Sequence, residues 1–489
     1  MEPQRTRVIG NDLAPLGIAS INPAELAHLG NSTEDARQAA LDGDEGPAAP
    51  THYSTLRGRL EAVRTRFPPL YRDEFVTPYV AALNDLGESG FNRILASDPR
   101  REGSAALVLD VAQAILQQGE GFLEQATDAF QEVVGDLYDG FLSAEDRRGV
   151  NPPERGVIPP LVKWGNPEFG PYTWPADATA SLGVRAAVVS LPPANARLGL
   201  LAWAALGHET AGHDILGADD GLRDELASAI ASDLASLDDG LAEYWSERID
   251  ETASDVMGIL NMGPVAGLGL IGYFRALNAA FGGELALRNT GPGSDSHPAD
   301  ILRGYLAAET IRLLRFTGKT HWAAAVLSET EKDVGQIVLD GTLVDKGKAH
   351  RSATLVAKTL VNFKAKSLEG HSLGEIQNWR DTDERRVLLV RKTLRSAAAP
   401  PDFARAGVYA AHVVAGAVVE ALSTNPDVRL VFKRMLVLLK GMHDQNPSWG
   451  PLLVRHPGNL ARHLSYIPLP DVANGPAMRD SDAREIGPS

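Results

Sequence analysis

The stretch from Leu200 to Asp214 constrains this chain more than any other. It opens Leu200-Leu201-Ala202-Trp203-Ala204-Ala205-Leu206-Gly207 and then carries His208, Glu209 and His213. Leu, Ala and Trp dominate, without proline or a run of β-branched residues, so the segment predicts a helix. The two histidines stand five positions apart. At about 100° per residue, their rings would lie roughly 140° out of alignment on a regular helix. One wide turn of π type would bring them together, and such turns tend to occur at functional sites. Gly212, beside His213, would lower the steric cost of that distortion.

Two imidazoles flanking a carboxylate suggest metal chemistry. The familiar zinc-peptidase pattern is H-E-x-x-H, with both histidines on one helix face; here the pattern is H-E-x-x-x-H. A catalytic zinc needs a third protein ligand and an open position for water. The next acidic segment, Asp250-Glu251-Thr252-Ala253-Ser254-Asp255, supplies a candidate. Glu251 and Asp255 are four apart and share a helix face. Glu251 can complete a set with His208 and His213. Asp255 can accept the other N–H of a ligand imidazole and fix its tautomer.

Three short pieces carry a resemblance. Glu251-Thr252-Ala253-Ser254-Asp255 resembles the E-x-x-S-D helix of thermolysin-like gluzincins, where the Glu is the third zinc ligand and the Asp supports a zinc-bound His. His208-Glu209-Thr210-Ala211-Gly212-His213 is similar to the H-E-x-x-G-H helix of dipeptidyl peptidase III. Ser296-His297-Pro298, with Arg303 beyond, resembles the His-Pro…Arg segment of CAAX-processing peptidases. The likeness spans roughly residues 180 to 310 and points to the clan, not to one of its members. It implies a zincin-like core binding Zn²⁺.

Composition removes other classes. With 63 acidic against 47 basic residues, the formal charge of −16 argues against nucleic-acid backbone binding as the main task. There is no cysteine, which excludes disulfides and thiolate-ligated zinc. The start, Met1-Glu2-Pro3-Gln4-Arg5, has no apolar run behind it, so no secretory signal is expected and the default compartment is cytoplasmic. Val256–Phe274 and Ala406–Leu422 approach membrane-span character, but polar and proline interruptions favour buried helices; no membrane partner is expected.

The expected fold class is α+β, mostly α-helical: a zincin-like core with a small sheet, flanked by helical subdomains. Residues 1–52 read as an arm, poorly ordered or draped on the surface, with Asp42 to Pro47 as linker. Residues 53–150 read as an N-terminal helical subdomain, 151–325 as the catalytic core, 326–470 as a C-terminal helical subdomain and 471–489 as a tail. Within the core, the proline-rich run 151–175 predicts an irregular loop anchored by aromatics across the surface, with a role in lining the cleft as the alternative. Ala186 to Leu191 predicts a strand; the resemblance implies it is the edge strand on which an extended substrate pairs. A long helix is expected over Ala299–Phe316, and another over Phe403–Ser423.

The chemistry expected is hydrolysis of a peptide or another amide. His208, His213 and Glu251 would hold zinc, and Glu209, next to a ligand, would serve as general base. His297, Arg303 and Tyr305 are candidate donors to the developing oxyanion; the His-Pro…Arg likeness favours His297, and Tyr305 enters by nearness in sequence. Asp214 reads as a solvated acid. A zinc hydrolase acting on a non-peptide amide is one rival. A helical binding or scaffold protein with a vestigial or structural site is another, though a structural site needs no base beside a ligand. Gly318-Lys319-Thr320 lacks the upstream glycine of a phosphate loop, since Leu313 stands there. His371 and His412 have no partner carboxylate at ligand spacing.

Overall fold

The computed structural model describes residues 26–449, apart from 27, 102, 143–146, 152, 154–157, 212, 238–239, 397–401, 404 and 424–425. The first part of the expected arm, the expected tail and Gly212 lie outside the described residues. Among those described, the chain is mostly helical with two small sheets. The longer helices begin with α1 (Leu29–Ala40), α2 (Tyr53–Val63), α3 (Thr77–Ser97), α4 (Ser104–Glu120) and α5 (Glu124–Leu142). After the first sheet come α6 (Leu200–Ala211), α7 (Leu222–Leu234), α8 (Ile249–Met262) and α9 (Pro264–Leu277). Then follow α10 (Asp300–Leu313), α11 (Lys319–Glu331), α12 (Lys346–Asn362), α13 (Asp381–Arg395), α14 (Ala410–Ala421) and α15 (Val428–His443).

Helix α6 is apolar on every side and is therefore wrapped on every side. It packs against α5, α8, α9 and α14, and all its residues from Leu200 to Thr210 are buried. The large apolar core around it runs from Leu26 to Met442 and takes in residues on both sides of positions 150 and 326. Helix α5, expected in the N-terminal subdomain, belongs to this core and lies against α15. A second, smaller core joins α2, α3 and α4 to Leu161 and Val188 of the sheet.

Helix α1 corrects the expectation of a loose arm over 1–52. It packs on α9 and α6. Its Asp35 carboxylate, buried, accepts hydrogen bonds from the backbone N–H of Gly199 (2.8 Å) and Leu200 (3.2 Å). The first amides of a helix have no partner within it, so a side chain more than 160 positions upstream caps the central helix. The Asp42–Pro47 stretch does run irregularly, with Asp42 and Asp44 paired to exposed Arg197.

The proline-rich segment is not a plain loop. It contains β1 (Leu161–Trp164) and β2 (Tyr172–Trp174), whose β-branched and aromatic residues suit a sheet. The prolines flank these strands and do not interrupt them. The next strand, β3 (Val188–Leu191), pairs parallel with β1 and antiparallel with β2, giving the order β1-β3-β2. The strand expected at an edge is thus central, and β2 has one side of the sheet. A second sheet joins β4 (Thr290–Gly291), β5 (Ile337–Leu339) and β6 (Thr342–Val344). Asp340 (φ 48°) and Gly341 (φ 80°) form its tight turn.

The apolar stretch Val256–Phe274 is broken into α8 and α9 at Gly263 and Pro264. One segment, Pro264–Gly282, is long and apolar enough to cross a membrane by composition, and most of it is buried within the protein. The helix expected over Phe403–Ser423 begins only at Ala410, because Tyr409 is extended. Asp214 is buried, not solvated, and accepts from the backbone of Ala176 at 2.8 Å.

Candidate metal centre

Helices α6 and α8 cross where Gly207 meets Gly258. A methyl group on Gly258 would stand 2.9 Å from the carbonyl carbon of Gly207 and 3.0 Å from the amide of His208. Only glycine permits main chains to approach so closely. This contact brings His208 over the face of α8 that carries Glu251 and Asp255.

His208 Nε2 lies 3.2 Å from Glu251 Oε2, and His213 Nε2 lies 3.4 Å from Glu251 Oε1. One ligand atom from each of the three residues falls within 4.8 Å of the others. The route for His213 differs from the π-type turn expected. Helix α6 ends at Ala211, and His213 sits on the turn that follows. Freed from the helical 100° step, its ring stands 5.0 Å from that of His208 and nearly perpendicular to it, at 86°.

The other nitrogen of His208 is fixed. Nδ1 stands 2.8 Å from Asp255 Oδ1. A carboxylate only accepts, so Nδ1 donates and Nε2 is turned to Glu251, where it can carry a proton or, without one, meet a metal ion. Arg303 of α10 holds Asp255 by two bonds, Nε to Oδ2 at 2.7 Å and Nη2 to Oδ1 at 2.8 Å. Arg303 Nη2 is also 3.7 Å from Glu251 Oε2. Burial disfavours the charged form of His208, yet Asp255 and Glu251 outweigh it and raise its pKa to about 10. Burial likewise opposes ionisation of Glu251 and Asp255, but His208 and Arg303 hold both carboxyls below their usual range. For His213, burial and the neighbouring His208 favour the neutral ring.

His297 reaches the same group from the loop before α10. Its backbone N–H and its Nδ1 both lie 2.9 Å from Asp295 Oδ1, and its Nε2 is 3.4 Å from Glu251 Oε1. The ring is half exposed. Tyr305 is not brought to the site. It stands two residues beyond Arg303, hence on another face of α10. Its ring stacks on His350 at 4.6 Å, and its hydroxyl donates to Glu331 at 3.1 Å.

Glu209 is one residue from the ligand pair and faces a cavity of about 400 Å³ that also reaches His208, His297 and Arg303. Thr173 of β2 donates from its hydroxyl, 3.1 Å from both Glu209 Oε2 and the Glu209 carbonyl. Sequence reasoning missed Thr173 because no local pattern ties it to a residue 36 positions away. It also missed Tyr273, a buried tyrosine of α9 that lines the cavity; burial and the charge of Glu209 push its phenol upward. A helical reading of α9 registered around Phe274 could have found it.

The donors fit a divalent ion. Two imidazole nitrogens and a carboxylate oxygen are ligand types that zinc takes in catalytic sites, and one such atom from each residue lies within 4.8 Å of the others. Buried Glu251 Oε2 makes no well-formed hydrogen bond. It faces His208 Nε2 at 3.2 Å, an arrangement that needs a proton or a cation between the two atoms. The buried His208–His213–Glu251 group could therefore hold a metal ion. Comparison of the chain with known protein families, curated proteins and solved structures gives no match.

Proposed function

We propose that this protein is a zinc-dependent hydrolase with a zincin-like core, and that it cleaves peptide bonds. The observation that carries the reading is the convergence of His208, His213 and Glu251 with Glu209, which binds none of them, turned to the adjoining cavity. Zinc held by the three residues would polarise a carbonyl and lower the pKa of water at an open position. Glu209 would accept a proton from the attacking water and deliver it to the leaving amine. Thr173 would hold the Glu209 carboxylate in line by its hydroxyl. Asp255, clamped by Arg303, fixes the His208 ring with Nε2 towards the ion site. His297 and Tyr273, which border the same cavity, would be donors to a developing negative charge, and Arg303 would act mainly through Asp255.

The test combines metal analysis of the purified protein with a peptide library digested in the presence and absence of a chelator. Zinc at equal molarity with the chain, and chelator-sensitive cleavage, are expected. Glu209→Gln should retain zinc and lose activity by about 10²–10⁴-fold. Full activity in that variant would remove Glu209 from the mechanism. Zinc without any peptide cleavage would turn the reading to a non-peptide amide.

A further inference from the structure

We infer that the cleft selects a bulky apolar side chain, aromatic or leucine-like, on the substrate residue beside the bond attacked. This deepens the hydrolase reading above and rests on it. The cavity that reaches His208 and Glu209 is lined on one side by Leu270, Tyr273, Phe274 and Leu277 of α9. These stand at i, i+3, i+4 and i+7, so they form one continuous stripe along the helix. Such a stripe ordinarily faces the core of its own protein. Here Leu270 and Tyr273 are buried in that core while Phe274 and Leu277 are partly exposed, and all four border the space next to the proposed chemistry.

Two phenylalanines from separate segments close the same space. Phe281 lies on the turn that follows α9, and Phe169 lies in the connection between β1 and β2. Both line the cavity, yet 67% of Phe281 and 53% of Phe169 is exposed to water. Phe169 is steadied by edge-on contact with Tyr172, ring centres 6.2 Å apart. Large aromatics left in water at the rim of a cleft lower their free energy when an apolar group enters between them.

Two of the charges in the lining, Asp300 and Arg288, are already engaged. Asp300 accepts from Arg288 at 3.0 Å and from Asn278 at 2.8 Å, and Arg288 also binds Asp295 at 2.9 Å. A charged substrate group pushed into this space would lose water and find those counter-charges already engaged. An apolar group meets no such penalty.

The experiment uses full-length protein loaded with zinc and two small hydroxamates that differ only in the adjacent side chain, benzyl or carboxymethyl. Binding is measured by calorimetry, beside zinc content. The benzyl compound should bind at least about tenfold more tightly, in line with discrimination by an apolar pocket. In Phe281→Ser with Phe169→Ser, both exposed positions, the ratio should fall towards one with zinc retained. Equal binding of the two compounds by the unaltered protein would overturn this inference and leave the hydrolase reading standing. An unchanged ratio in the double variant would overturn it as well. Binding of neither compound to zinc-loaded protein would overturn both.

Discussion

His208 and His412 keep similar company. Each is buried on a helix, each has an aspartate at a ring nitrogen, and each aspartate holds an arginine: Asp255 with Arg303, and Asp383 with Arg386. They differ in the second nitrogen. His412 Nδ1 accepts from the Tyr409 amide at 3.2 Å, while its Nε2 is bonded to Asp383 at 3.0 Å. Tyr409 and Trp379 pack on its ring, with centres 4.2 and 5.3 Å away. Its lone pair is in use, and it serves to tie α13 to α14. His208 commits only Nδ1 to its aspartate and turns Nε2 to a second carboxylate beside a cavity. An Asp–His–Arg set is therefore not a metal signature by itself; what separates the two sites is where the second ring nitrogen points.

The contrast can be broken most directly at the ligands. Glu251→Gln should weaken zinc binding by more than about 100-fold, beyond the loss typical of outer hydrogen-bond partners, read by competition with a chromogenic chelator. His412→Gln should leave zinc stoichiometry unchanged and cost roughly 1–3 kcal/mol of stability, because it strands a buried carboxylate. Equal zinc loss in both variants would erase the distinction. Asp255→Asn comes next, with an expected 10–100-fold weakening; Asp383→Asn, its counterpart, should not move zinc affinity at all. Thr173→Val should reduce turnover about tenfold at constant zinc content, since one hydrogen bond to a charged group is lost, and Thr173→Ser should restore it. A turnover unchanged in Thr173→Val would detach β2 from the chemistry.

The smallest effect concerns pH near the His412 cluster. Burial pushes the Glu384 carboxyl up to about 7, against the Trp379 N–H that bonds it at 2.7 Å and with help from Asp383 and Asp381. A folded pKa above the unfolded one stabilises the protein fully below about 4.5 and ceases to do so as pH rises through about 7. The Glu384 contribution to the thermal midpoint should therefore decline across that interval, read as the difference in slope between the unaltered protein and Glu384→Gln. If the slope is the same in both proteins, Glu384 does not titrate there.

The residues of the candidate site stood out because they lie in two short runs whose spacing is chemical: His208, Glu209 and His213 in one, Glu251 and Asp255 in the other. Mostly helical architecture was legible from periodicity, and the ends of α8 and α9 from Gly263 and Pro264. The Asp340-Gly341 turn between Ile337-Val338-Leu339 and Thr342-Leu343-Val344 is a strong local hairpin signal that the helical reading of 326–470 passed over. Other features had no local sign. The cap from Asp35 to Leu200, the bond from Thr173 to Glu209 and the central place of β3 are decided by tertiary contacts. Proline density in 151–175 also misled, because proline excludes the middle of a strand and not its flanks. Tyr305 failed for a simpler reason: nearness in sequence to Arg303 says nothing about direction on a helix.

The touching glycines of α6 and α8 have a thermodynamic consequence. Where two main chains meet with no side chain between them, the spacing of His208 from Glu251 is dictated by the scaffold and leaves little rotameric slack. The socket's ordering cost is met when the surrounding core forms, so an arriving ion organises very little. A chelator should then yield a folded protein whose melting temperature depends on zinc concentration by mass action. Small zinc domains, whose fold exists only with the ion, behave in the opposite way.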